Sequence, residues 1–381
     1  MSPIAWLILV TVLPPLAISL ITLYPVRRFA SRIGLLARPG GHSTHKNTVP
    51  LGGGIGIYVG VLLTFLLGTA AVVMLDAGWW DGSEFIQRSI PESMMASLPG
   101  VRSRLWPLWG LLAGGTVLFV LGLADDRYQL PPLMRLGIEF LVAIWVVWGL
   151  GFELTVFIQN PWLTRSLSVV WIVGVINSFN MLDNMDGLSG GVAAIIAGAM
   201  ATVMLCTPDK QSGQPQVLVA ALLLVVLGAI AGFLWHNRPP AKIFMGDGGS
   251  YFIGYLIAVA MLMATFAGGG GNRPHAVLAP LCAMAVPLYD MTTVLWIRIR
   301  EGRSIFQGDK SHFSHRLVDL GLSRTQAVCT IYLVTATCGL AAVLLTGVSV
   351  PQAAMVLGIV GCMLLLVIIL ESTSWRNERN D

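Results

Sequence analysis

Leu121-Gly-Leu-Ala-Asp-Asp-Arg-Tyr128 closes a long apolar run with two adjacent carboxylates, Asp125 and Asp126. Hydrocarbon tolerates ionised carboxylates poorly, so acids at the mouth of an apolar segment mark a functional site. Side by side they also repel, unless a cation or a proton is shared between them. Other acids fall at comparable places. Asp183 and Asp186 lie in Asn177-Ser-Phe-Asn-Met-Leu-Asp-Asn-Met-Asp-Gly187, and Asp247 lies in Phe244-Met-Gly-Asp-Gly-Gly249. A membrane chain that repeatedly sets carboxylates at helix ends is built to hold a divalent metal.

Composition gives the same environment independently. Hydrophobic residues make up 55% of the 381 and charged residues 11%, where soluble domains carry about 25% charged. The 42 glycines suit helices that pack closely in lipid. The net charge of +4 argues against a nucleic-acid partner. No tandem repeat, low-complexity tail or soluble module stands out, so residues 1–381 read as one integral-membrane domain. Cys206, Cys282, Cys329, Cys338 and Cys362 show no C-x-x-C spacing and are expected to be small apolar core residues. Pro3 to Leu23 lacks a basic n-region, and Arg27 and Arg28 follow it, so it reads as an uncleaved first helix rather than a signal peptide.

Apolar runs bounded by charged or turn-rich segments predict an all-α polytopic protein of about eleven spans. They fall near 3–24, 51–75, 107–124, 132–150, 166–182, 188–207, 216–235, 249–267, 276–297, 325–346 and 352–371. With the N-terminus outside and the C-terminus cytoplasmic, only Arg88, Arg102, Arg104, Arg165, Lys210 and Arg273 fall outside. All other lysines and arginines fall inside, a strong positive-inside bias. The same topology puts every acidic motif on the cytoplasmic face, as one active site requires.

Each motif also has a plainer meaning. Asp125-Asp126 could be a solvated helix end. Asn177, Asn180, Asp183 and Asp186 recur every third residue, and Gly187 suggests that the helix ends there; four such groups exceed what a turn needs. In Phe244-Met-Gly-Asp-Gly-Gly-Ser250, Asp247 could simply be an N-cap. Alternatively, the glycines and the following helix N-terminus could take a phosphate near Gly248 to Ser250. Between Arg298 and Arg324, Arg298 and Arg300 read as lipid-headgroup anchors, whereas His312, His315 and Arg316 suit a polyanionic ligand. Zn²⁺ has no further cysteine or histidine there to complete a set. Leu51-Gly-Gly-Gly-Ile-Gly56 lacks the Lys-Ser/Thr of a P-loop and is expected to serve close helix packing. His236 and His275 carry no usable signal.

Taken in order, Gly122-Leu-Ala-Asp-Asp-Arg127, Asn177-x-x-Asn-Met-Leu-Asp-x-x-Asp-Gly-Leu-x-Gly-Gly191, Phe244-Met-Gly-Asp-x-Gly-Ser250 and the His312/His315-Arg316 loop resemble the polyprenyl-phosphate N-acetylhexosamine-1-phosphate transferases over nearly the whole chain. The resemblance implies transfer of a sugar 1-phosphate, with GlcNAc leading, from a UDP-sugar to undecaprenyl phosphate at the inner membrane, with release of UMP. About eleven spans resemble the branch that starts O-antigen, enterobacterial common antigen or teichoic acid. The alternative within the family is the phospho-MurNAc-pentapeptide transferase, which has about ten spans with both ends outside. The resemblance further implies that Asp247 binds Mg²⁺, with Mn²⁺ as a substitute, and that Asp125, Asp126 and Asp183 are catalytic. Asp186, Asn180, Asn237 and Phe244 are then expected around the donor, Phe244 stacking on uracil. His312, His315 and Arg316 are expected on the sugar phosphate. A homodimer is compatible with it.

Three positions depart from the family pattern. Ser314 stands where histidine is common and Asn184 where glycine is usual, and residues 76–106 make a longer outer loop. Whether Asp125 or Asp126 takes a proton, and whether transfer is direct or passes through a phospho-aspartate, stays open. An ion-coupled transporter is the rival class, since carriers also bury carboxylates, but near the midplane and usually within an internal repeat.

Overall fold

In lipid every backbone amide must be satisfied within its own segment, so each apolar run becomes a helix. The computed structural model describes residues 3–32, 34–36, 49–78, 100–154, 160–207, 215–264, 274–308 and 310–377. The expected helices appear in order: α1 (Pro3–Phe29), α2 (Gly53–Asp76), α3 (Leu105–Tyr128), α4 (Pro132–Ile144, continued by a π-helical turn over Trp145–Gly149), α5 (Pro161–Leu182), α6 (Leu188–Cys206), α7 (Val217–Asn237) and α8 (Gly246–Met263). After a 3₁₀ turn, Pro274–Leu278, come α9 (Ala279–Ala283), α10 (Ala285–Arg300), α11 (Phe313–Asp319), α12 (Arg324–Leu345) and α13 (Val350–Asn377). Among the described residues there is no strand, only an isolated bridge between Leu36 and Pro50. Among the described residues ten helices are long and apolar enough to cross a membrane, or eleven if the bent pair described next is one span.

Three features bear on the site and differ from expectation. The ninth span is a bent pair, α9 and α10 meeting at 66°. Pro280 and Pro287 flank the break, and each removes an amide from the helix ladder. The eighth span begins at Gly246 rather than 249, which moves Asp247 from the loop into the first helical turn. A short helix, α11, forms inside the last basic loop. Most of the long 76–106 segment lies outside the described residues.

Burial ranks the helices. Of the α8 span 89% lies inside the protein, against 17% for α2 and for α13. α8 is therefore the axis, wedged between α3 and α5 with α2 alongside, while α1 packs on α7 and α6 bridges α7 to α12. Large apolar side chains on the outer faces of α1, α4 and α13 stay exposed, as lipid-facing surfaces do. Cys282 and Cys338 are core residues as expected, but Cys206, Cys329 and Cys362 are on this outer surface.

Candidate active site

At one end of the bundle the C-termini of α3 and α5 meet the N-terminus of α8. The first-turn amides of α8 have no intrahelical partner and favour an anion. That anion is the protein's own Asp126: Oδ1 accepts from the Asp247 amide at 3.0 Å and Oδ2 from the Gly248 amide at 3.4 Å. Gly248, Gly249 and Ser250 are buried, and the Asp126 carboxylate occupies the helix N-terminus for which a phosphate is one of two readings. Those residues receive neighbouring helices. A Cβ added at Gly122 would lie 2.3 Å from the Gly248 nitrogen, and one at Gly54 2.4 Å from the Gly249 nitrogen. The close-packing role expected of Leu51–Gly56 holds. Gly122→Ala should therefore force α3 off α8, costing about 1–3 kcal/mol by overpacking and lowering turnover. Thermal unfolding in detergent beside a turnover assay checks this; an unchanged midpoint with full activity would show that the interface yields freely.

The adjacent aspartates have different surroundings. Asp125 is buried and pairs with the Arg135 guanidinium; its Oδ1 accepts from the Leu130 amide at 2.8 Å, and the Tyr251 hydroxyl lies 3.4 Å from Oδ2. Arg135 Nη1 is also 3.9 Å from Asp247 Oδ2. Asp247 Oδ1 accepts from Asn180 Nδ2 at 2.7 Å, and the same amide reaches Ser250 Oγ at 3.1 Å. Asp125, Asp126, Asp247 and Arg135 line a cavity of about 340 Å³ with Leu51, Gln129 and Leu130. Asp183, just past α5, is held by the Gly246 amide. Burial, then the charges of Asp126 and Asp186, push its carboxyl up to about 7.

This donor set fits a hard divalent ion. Among the described residues no three His, Cys, Asp or Glu side chains converge into a closed cage. Mg²⁺ does not require one, since it keeps several waters and binds through one or two carboxylates plus substrate phosphates. Asp247, with Asp126 beside it, supplies oxygen donors of that kind, and mutual repulsion of unscreened carboxylates favours a cation there.

The loop after α5 is pinned from both sides. Gly187, at φ +77°, donates to Asn237 Oδ1 at 2.8 Å and accepts from the Tyr332 hydroxyl. Asn237 Nδ2 donates to the Ile243 carbonyl at 2.8 Å, so its amide is engaged with backbone on both ends. Asp186 Oδ2 accepts from the Ala241 amide at 2.9 Å. Phe244 is half-buried, with its backbone bonded to Pro50 and Gly53 at 2.9 and 2.8 Å. Asn237 and Asp186 thus shape the 237–245 loop that carries Phe244.

The histidine loop is anchored to α10 and α13. Asp290, fully buried, lies 2.9 Å from His312 Nδ1 and accepts from the Phe313 amide at 2.6 Å. Arg316 points inward. Its Nε is 3.1 Å from Glu371 Oε2, Nη2 reaches Thr293 Oγ1 at 3.2 Å, and Nη1 donates to the Ser311 carbonyl. Arg316 is thus braced within the protein through Glu371, Thr293 and Ser311. His315 has its proton affinity lowered by burial, then by His312; Asp319 opposes the shift, and Lys310 and Arg324 add to it. Its ring lies beside that of His312, with centroids 6.4 Å apart. Ser314 Oγ donates to Asn184 Oδ1 at 2.6 Å, so the two residues that depart from the family pattern touch, and they tie this loop to the acidic one.

The model of a family described as "Glycosyl transferase family 4" matches residues 108–265. That stretch runs from α3 through α8 and so contains the acidic site. A Bacillus subtilis protein named a probable undecaprenyl-phosphate N-acetylglucosaminyl 1-phosphate transferase is 31% identical over 93% of this chain and 88% of its own length. The chain belongs to glycosyl transferase family 4. A Mycobacterium tuberculosis decaprenyl-phosphate N-acetylglucosaminephosphotransferase is 31% identical over 81% of this chain and 75% of its own. The Escherichia coli undecaprenyl-phosphate alpha-N-acetylglucosaminyl 1-phosphate transferase is 27% identical over 82% and 77%.

Sequence reading missed Arg135, Glu139, Asp290 and Glu371 as site-supporting groups. Glu139 is buried and bonded to Asn177. The signal was present, because Arg135, Glu139 and Asp290 are ionisable residues inside apolar runs, and such residues pair with one another or face a cavity.

Proposed function

We infer that the chain transfers a sugar 1-phosphate from a UDP-sugar to a polyprenyl phosphate and releases UMP. GlcNAc is the sugar, and the site opens on the cytoplasmic face of the inner membrane. One observation carries this reading: Asp126 and Asp247, joined across the α8 N-terminus, share a cavity with the cationic Arg135. The relatives' names supply the substrate class, and the positive-inside distribution of charge supplies the side.

Phosphoryl transfer asks mainly for in-line placement and charge neutralisation. The acceptor phosphate, with a second pKa near 6, is largely dianionic at neutral pH and needs no strong base. Its oxygen attacks the sugar-bearing phosphorus as the bond to the UMP oxygen breaks, and the electron pair leaves on UMP. Mg²⁺ held by Asp247 would neutralise the diphosphate and the leaving UMP. Arg135, fixed by Asp125 and Tyr251, offers the cavity's fixed positive charge, and Asp126 keeps the α8 N-terminus in register. Phe244, at the edge of the 237–245 loop, offers a ring face to uracil.

The test is UMP release by purified protein in nanodiscs with UDP-GlcNAc, polyprenyl phosphate and Mg²⁺. No release with UDP-GlcNAc, UDP-GalNAc, UDP-MurNAc-pentapeptide or UDP-glucose would overturn the reading. Phe244→Ala should weaken donor binding by about 1–3 kcal/mol through lost stacking and leave the acceptor's half-saturation unchanged. Equal losses for both substrates would instead assign Phe244 to packing.

A further inference from the structure

A second cavity, of about 560 Å³, is lined by Tyr24, Arg27, Arg28, Pro50 and Lys242. None of its three cations is used by the chemistry above, and none has a carboxylate partner among the described residues. Exposed basic residues are ordinarily a solvated fringe, but Arg27 is held in place. His236 is buried, and its Nε2 lies 3.1 Å from the Leu20 carbonyl, so that nitrogen carries the proton. Nδ1 is left as an acceptor and takes the Arg27 guanidinium at 3.1 Å. Tyr24 packs edge-on against the same imidazole with ring centroids 4.8 Å apart. A buried, neutral histidine thus aims one arginine at the rim of the hollow.

The position of the hollow selects its ligand. Tyr24, Arg27 and Arg28 fall in the last turns of α1, and Trp235 and His236 in the last turn of α7. Both helices are long and apolar enough to cross a membrane, so the hollow sits where headgroups lie. Tyr24 and Trp235 are more than half exposed, and Arg238 stacks 4.3 Å over the Trp235 ring. Exposed aromatic rings beside cations form an interfacial belt. Guanidinium and ammonium groups without a protein anion are complementary to phosphate oxygens. Pro50 lines this hollow while Leu51 lines the Asp126–Asp247 cavity, so the two cavities lie on consecutive residues.

We propose that Arg27, Arg28 and Lys242 form a binding site for a lipid-borne phosphate, separate from the catalytic cavity. The phosphate can come from an anionic phospholipid or from polyprenyl phosphate. Only the second assignment, a holding site for the acceptor, rests on the transferase reading.

The test compares wild type with the double variant Arg28→Gln/Lys242→Gln, leaving Arg27 to support His236. Each is reconstituted in phosphatidylcholine nanodiscs doped with phosphatidylglycerol, undecaprenyl phosphate or phosphate-free diacylglycerol, and native mass spectrometry counts retained lipid. The variant should retain at least one phosphate lipid about thirtyfold less, the scale expected for removing two interfacial cations, with diacylglycerol unchanged. A loss confined to phosphatidylglycerol assigns the site to bulk anionic lipid, and a loss of undecaprenyl phosphate assigns it to the acceptor. Equal retention of both phosphate lipids overturns the site, as does a matching loss of diacylglycerol. Should the double variant fail to insert, the exposed Lys242→Gln alone carries the same comparison. Because retention is read without turnover, absence of UMP release from every donor would remove the proposed reaction and leave this result legible.

Discussion

Asp247→Asn should lower kcat for UMP release by about three orders of magnitude while the protein still inserts and unfolds at its usual temperature. The substitution keeps the shape of the side chain, and its carbonyl oxygen can still accept from Asn180 Nδ2, now 2.7 Å from Oδ1. What it removes is the charge facing the cavity, and an amide NH₂ then turns toward Arg135, now 3.9 Å from Oδ2. Loss of a metal-held charge is worth several kcal/mol in the transition state, and each 1.4 kcal/mol is about tenfold in rate. The measurement is UMP release against Mg²⁺ concentration in nanodiscs. Near-normal turnover at ordinary Mg²⁺ would remove Asp247 from the metal site. A rate restored only at high Mg²⁺ would mark weakened binding rather than lost chemistry, and would still place the ion at this carboxylate.

The acidic half of the site was legible in the sequence because carboxylates at the ends of apolar runs have no cheap explanation in lipid. Asp125, Asp126, Asp183 and Asp247 stand out by position, and the structure brings Asp126, Asp183 and Asp247 together around Gly246–Gly248. Their division of labour was not legible. Asp125 and Asp126 look equivalent in the chain, yet helical geometry turns one toward Arg135 and the other toward α8. The role of the α8 N-terminus is hidden in the chain for a related reason. A glycine run reads as an open phosphate cradle, and only the approach of α2 and α3 shows that its glycines admit helices. Arg316 illustrates the limit of motif reasoning. A cationic loop predicts a ligand, while the internal partner Glu371 sits at the far end of the last span and is found only in three dimensions. The bend of the ninth span, by contrast, has a signal in the chain, because Pro280 and Pro287 flank it.

Asp290→Asn should cost about two to three orders of magnitude in kcat, although no ligand needs to touch Asp290. The carboxylate accepts from the Phe313 amide and from His312 Nδ1, at 2.6 and 2.9 Å. This commits Nδ1 to donating and sets the direction in which the Nε2 edge of the ring faces. An asparagine can keep its carbonyl on the Phe313 amide, but its NH₂ then faces Nδ1. Nδ1 must then accept, which leaves the ring's proton on Nε2 alone, with the fold nearly unchanged. In a serine-protease triad the same exchange, which leaves the wrong tautomer, costs about 10⁴ in kcat, so a smaller figure is expected for a loop that assists rather than performs the transfer. Asp290→Ala should do worse in a different way. It leaves the Phe313 amide buried without a partner, at about 1–3 kcal/mol, and lowers the unfolding temperature as well as the rate. The discriminating readouts are therefore kcat and thermal midpoint together, for both variants. If Asp290→Asn keeps the wild-type rate, the tautomer of His312 is irrelevant to transfer and Asp290 only supports the loop. If it loses rate with an unchanged midpoint, the histidine loop acts on the donor through His312, positioned by a carboxylate buried in α10.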